Sequence, residues 1–204
     1  MRVLALSCIA VCVLWACLPI ANAQEVGISE LVHRAQGACE EGRYLEAARV
    51  LREALRQVNR IMLGQMEALL PKPERGWEVL AVQSDADESL SHTALKVRGQ
   101  YVKSGSPQMV EVEIAVGSPA AGNLMLWLTN PIQLERASEG RRLLAVGTRR
   151  WVGKYDERDL TAELATVVGI DRVVRVSGFN LPSVEPAEKY AAHVPLERLE
   201  RLCR

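Results

Sequence analysis

The chain has 204 residues, and its 25 Lys and Arg balance 25 Asp and Glu, so it carries no formal net charge. That balance argues against nucleic acid as the main partner, because displacing counterions from phosphates needs a net basic surface or a basic stripe. Hydrophobic residues make up 49% of the chain, the share of an ordinary globular protein. Phe179 is its single Phe, so aliphatic side chains must fill most of the core.

Met1 and Arg2 form a short basic start, and residues 3–20 are apolar apart from Ser7 and Pro19. The run ends in Ala21-Asn22-Ala23, the small-x-small pattern of a signal peptidase site. Residues 1–23 therefore read as a secretory signal peptide cut between Ala23 and Gln24, which implies a periplasmic or secreted protein. Two alternatives stand beside this. An uncleaved run would be near the lower length limit of a membrane anchor. Leu14-Trp15-Ala16-Cys17 resembles a lipobox, which would make the chain a lipoprotein anchored at Cys17. No later stretch is long and apolar enough to span a bilayer, so no membrane span is expected after cleavage. Cleavage also removes Cys8, Cys12 and Cys17 and leaves Cys39 and Cys203. In an oxidising compartment these two are a candidate disulfide tying the first helix to the C-terminal tail. The alternative is two unrelated cysteines.

Two segments follow, 24–70 and 71–204. In the first, Ile28, Leu31, Val32, Ala35 and Cys39 fall at helical spacing. Gly42 then allows a left-handed turn. A second stripe runs through Tyr44, Ala48, Leu51, Leu55, Val58 and Met62, with Arg49, Arg52, Arg56 and Arg60 opposite. Pro71 and Pro73 stop it.

The run Gly42-Arg43-Tyr44-Leu45-Glu46-Ala47-Ala48, with Leu51 and Ala54 after it, resembles the middle of a tetratricopeptide repeat. The resemblance covers about one repeat and implies a lone helical hairpin with close packing at the alanines. The second helix is about twice the length of the first. Its last third carries Ile61, Met62, Leu63, Met66, Leu69 and Leu70, which must rest either on the following segment or on another chain, a partner or a second copy.

Beyond Gly76-Trp77 the period shortens to two. Residues 78–82 predict a short strand and Ser84-Asp85-Ala86-Asp87-Glu88-Ser89 an acidic loop. Leu95, Val97, Gly99 and Tyr101 alternate with Lys96, Arg98 and Gln100; Val110, Val112, Ile114 and Val116 alternate with Glu111 and Glu113. This is a hairpin with one buried face, and folding it brings Lys96 and Arg98 near Glu113 and Glu111. Ser118-Pro119 predicts a capped helix ending at Asn130-Pro131, apolar on every side through Leu124-Met125-Leu126-Trp127-Leu128. Strands are expected at 142–146, 150–155, 163–168 and 172–177. A helix capped by Ser183 follows through His193, then another after Pro195. The fold class is α+β: a helical hairpin, then a mainly antiparallel sheet of about seven strands covered by helices. Gly76-Trp77 and the strand order are similar to the Mog1/PsbP-like fold, which implies architecture only. Leu70-Pro71-Lys72-Pro73, Gly76-Trp77, Ser118-Pro119 and Asn130-Pro131 resemble a family of exported bacterial proteins, which implies export and architecture without an activity.

Nothing in the sequence spaces residues for catalysis. His33, His92 and His193 are scattered, and Asp85, Asp87, Glu88 and His92 lack the ligand ladder of a calcium site. There is no nucleophile elbow and no phosphate-binding glycine loop. The expectation is a non-enzymatic chain without cofactor or metal: an interaction module of the bacterial envelope, meeting a protein partner or forming a homodimer. Its candidate surface is Met62, Met66, Leu69, Leu126, Trp127, Arg149 and Arg150, the last two beside Arg141 and Arg142 around the turn at Gly147. The charges there would meet an anionic partner or simply keep an edge strand solvated. The other reading is a periplasmic small-ligand or lipid carrier, with Trp77, Trp127 and Trp151 lining a pocket between sheet and helices.

Overall fold

The computed structural model describes residues 27–88, 93–137 and 140–202. Two helices open it, α1 (Ile28–Glu40) and α2 (Tyr44–Glu67). They are joined at Gly42, which adopts φ +76°, a conformation that costs glycine nothing. The strands β1 (Trp77–Glu88), β2 (Thr93–Lys103) and β3 (Met109–Val116) form one antiparallel meander. Then come α3 (Ala121–Thr129) and α4 (Pro131–Ala137). A second meander follows: β4 (Arg142–Val146), β5 (Arg149–Asp156), β6 (Thr161–Val168) and β7 (Arg172–Phe179). The helices α5 (Glu185–His193) and α6 (Leu196–Leu202) close the described chain. The two meanders join where β3 pairs with β7, giving a single antiparallel sheet in the order β1-β2-β3-β7-β6-β5-β4. The fold is α+β with seven strands.

Alternation along the strands gives the sheet two different faces. In β3, Val110, Val112, Ile114 and Val116 are buried while their neighbours are half-buried. The inner face carries these together with Leu95, Val97, Trp151, Leu164 and Val176. Met66 from the end of α2, Leu69 just beyond it, Tyr190 from α5 and Leu199 from α6 cover it. On the outer face a smaller core forms where Ala121 and Leu124 of α3 and Leu134 of α4 meet Val152, Val167 and Val173. The rest of the outer face is polar. Arg98 pairs with Glu113 at 3.1 Å and Glu111 at 3.2 Å, as the hairpin register requires. Lys96 departs from expectation: it stands opposite Ala115 and, on its other side, Asp85.

The acidic segment at 84–88 is strand, not loop. β1 runs from Trp77 to Glu88 with a bulge at Leu80, and from Ala81 to Glu88 it pairs residue by residue with β2, ending at Thr93. Its composition suggests a turn, but unbroken pairing with β2 from Ala81 onward outweighs weak propensity. Asn130-Pro131 ends one helix and starts another. Pro131 occupies the first position of α4, where its missing N–H is harmless, and the Asn130 Oδ1 accepts from the Gln133 N–H at 3.4 Å. Neither expected serine cap forms; Ala120 and Val184 hold the N-cap positions of α3 and α5 without side-chain bonds.

The link between hairpin and sheet is fastened. The buried Tyr101 hydroxyl donates to the Pro71 carbonyl at 2.6 Å, and the Glu74 N–H donates to the Tyr190 hydroxyl at 3.3 Å. Tyr190 in turn packs against Tyr101, with ring centres 4.5 Å apart, and edge-on against Trp77 at 5.6 Å. Burial pushes the Tyr101 phenol up to about 12.

Candidate interaction surfaces

The hairpin is held by a narrow seam. Leu31, Ala35 and Ala38 of α1 meet Ala47, Val50 and Ala54 of α2, all buried. Four alanines in six positions let the helices approach closely, and they leave little apolar surface to bury. The larger residues of both stripes therefore fall outside the seam. At 100° per residue, Tyr44, Leu51 and Leu55 lie roughly 70–110° round α2 from it. Val32 lies to the corresponding side of α1, and because the helices run antiparallel, all four share one face of the hairpin. That face is open: Tyr44 is 70% exposed, Leu51 48%, Val32 46% and Leu55 41%. Arg49, Arg52, Arg56 and Arg60 follow further round α2, with Arg56 paired to Glu53. The stripe read from the sequence exists, but the first helix does not cover it.

Further along the same stripe the situation reverses. Met66 and Leu69 are each 1% exposed within the sheet's inner core, and Met62 is half-buried against it. Intramolecular docking covers Met66 and Leu69, which are not surface residues open to a partner, while Ile61 stays 53% exposed. On α3, Leu126 is exposed at 46%, while Trp127 is half-buried against the outer core.

The four arginines around β4 and β5 do not gather. β4 pairs with β5 so that Val146 faces Arg149 beside the turn and Arg142 faces Gly153 at the far end. Arg141 and Arg142 therefore lie away from the Gly147 turn. Arg149 reaches across to Glu200 on α6 at 3.0 Å. Arg150 is exposed, and its backbone carbonyl accepts from the Thr166 hydroxyl at 2.8 Å. Arg141 pairs with Glu163 at 3.1 Å and stands 5.5 Å from the centre of the Trp127 ring.

The three tryptophans are separated as well. Trp77 abuts Tyr190, Trp151 is fully buried in the inner core, and Trp127 faces the outer layer. They line no common pocket. Cys39 is exposed on α1, and Cys203 lies outside the described residues. So do Ala23, Gln24, Cys17 and His92. His33 is exposed on α1, and the His193 ring lies 2.9 Å from the Glu74 carboxylate. Among the described residues no three His, Cys, Asp or Glu side chains group as metal ligands, and no helix is long and apolar enough to cross a membrane.

No family model, curated protein or solved structure matches this chain. Its surfaces must speak for its function. Periodicity places Leu51 and Leu55 in the right stripe but assigns that stripe to the interior. It does not single out Asn123, Glu163, Arg175 and Ser177, which ring a recess beside α3; their only signal is an outward position in helix and strand periods.

Proposed function

We propose that this chain is an exported, non-enzymatic interaction module of the bacterial envelope, working in the periplasm after cleavage at Gln24. The observation that carries the reading is the open apolar face formed by Val32, Tyr44, Leu51 and Leu55. An exposed cluster of large apolar side chains on a protein surface marks a contact site. Here the stripe continues into residues that are docked on the sheet, so its direction relative to the sheet is set. The partner is an envelope protein or a second copy of the chain.

A photo-crosslinking amino acid placed at Leu51, and in a control at the exposed Ile170, tests this in the living host. The proposal expects a discrete adduct from Leu51, none from Ile170, and loss of the Leu51 adduct when Leu55 is changed to Glu. Adduct mass separates a homodimer from a different partner. Absence of any adduct from Leu51, Leu55 and Tyr44 would overturn the reading. The intact mass of the same purified protein reads export independently: a chain beginning at Gln24 supports it, and retention of residues 1–23 or an acyl group at Cys17 refutes cleavage at that site.

A further inference from the structure

The outer face of the sheet holds a second feature, remote from the hairpin. α3 lies over β5 and β6, and on its β7 side helix and sheet enclose a recess of about 440 Å³. Its floor is low because the outward residues there are small: Ala165 from β6 and Val173 from β7. Leu124 and Trp127 form the wall on the α3 side. The rim is polar, with Arg175 and Ser177 from β7, Asn123 from α3 and the Arg141–Glu163 pair.

The charges at this rim are unequally satisfied. Glu163 is engaged by Arg141 at 3.1 Å. Glu113 and Glu111, just outside the recess, share Arg98 at 3.1 and 3.2 Å. Arg175 reaches the Glu113 carboxylate only at 3.8 Å, too far for a hydrogen bond. Its side chain is 49% exposed, and its fork of donors matches a planar carboxylate. The Arg141 guanidinium against the Trp127 ring adds a second cation at the aromatic wall. A cation is a poor occupant, since Glu163, Glu113 and Glu111 all have arginine partners. An anion with an apolar body satisfies both floor and rim, and the volume falls within the roughly 300–1,000 Å³ of small-molecule sites.

We propose that this recess binds a small organic anion, an aryl or branched-chain carboxylate. The carboxylate sits on Arg175 and the apolar body against the half-buried Ala165 and Trp127. The site is independent of the hairpin face, so each can fail alone.

Calorimetric titration of the full chain with naphthoate, and with naphthamide as its neutral counterpart, tests the proposal. Saturable one-to-one binding of naphthoate is expected, weaker by about tenfold or more for the amide and for Arg175→Gln, which each remove a charge-assisted bond. Ala165→Leu fills the floor and should abolish binding, while Leu80→Ser on the exposed edge strand β1 should leave it unchanged. Arg175 is exposed, so its variant folds and keeps the test decisive even if Ala165→Leu does not. Absence of saturable naphthoate binding, or equal affinity in the parent and Arg175→Gln, would overturn the assignment.

Discussion

Replacing Tyr101 by Phe removes one hydroxyl from the point where the hairpin is fastened to the sheet. That hydroxyl donates to the Pro71 carbonyl at 2.6 Å, with Tyr101 only 1% exposed and Pro71 buried. Near neutral pH the variant leaves a buried carbonyl unpaired, at a cost of about 1–3 kcal/mol. The cost should depend on pH in a defined direction. Burial first, and the neighbouring Tyr190 second, raise the Tyr101 phenol from 10.0 to about 12. Between those values the native protein keeps a proton that the unfolded chain has released. Stability of the parent therefore falls as pH rises through this window, by up to about 1.4 kcal/mol per pH unit. The Phe variant has no such proton. The gap between the two proteins is full below the unfolded value and should narrow by roughly 2–3 kcal/mol across the window. Urea unfolding of both proteins over this range measures the gap, because lysines and the tyrosines remote from Tyr101 contribute equally to each. Parallel loss of stability in parent and variant would refute a buried neutral phenol at this position.

Other substitutions separate surface from core. Leu51→Ser with Leu55→Ser should change unfolding free energy by less than about 1 kcal/mol, as exposed sites do, whereas Met66→Ala on the same stripe should cost about 2–5 kcal/mol; chemical denaturation of the two variants checks the contrast. A Cβ on Gly153 would meet Leu144 Cδ1 at 2.5 Å and Leu164 Cδ2 at 2.7 Å. Gly153→Ala should therefore destabilise by about 1–3 kcal/mol through overpacking, seen as a lowered thermal midpoint.

The strands with one buried face are the most legible part of the sequence. Val110, Val112 and Ile114 alternate without interruption, which specifies the buried face; the charges specify the register less well, since Arg98 stands opposite Glu113 but Lys96 opposite Ala115. The helix boundaries of the hairpin are readable for the same reason. What periodicity does not specify is which neighbour covers a stripe. Leu51 and Met66 belong to one helical stripe, yet one faces solvent and the other a sheet, because α1 ends its cover at an alanine seam. The acidic end of β1 reads as a loop since its composition favours a turn, while its ladder depends on a strand further along the chain. The recess beside α3 escapes notice for a related reason. Trp127, Glu163 and Arg175 come from three elements, and no local pattern announces that Ala165 and Val173 will leave space between them.

The seam between the two meanders has a consequence for how the chain folds. β1, β2 and β3 pair with sequence neighbours, as do β4 through β7, so each half can form from short-range contacts. The β3–β7 pairing, with Val112 facing Val176, must instead wait for the intervening helices and strands to be placed. Long-range pairing of this kind sets the pace of folding. Until that pairing closes, β3 and β7 each present an unpaired edge, although both lie at the centre of the finished sheet.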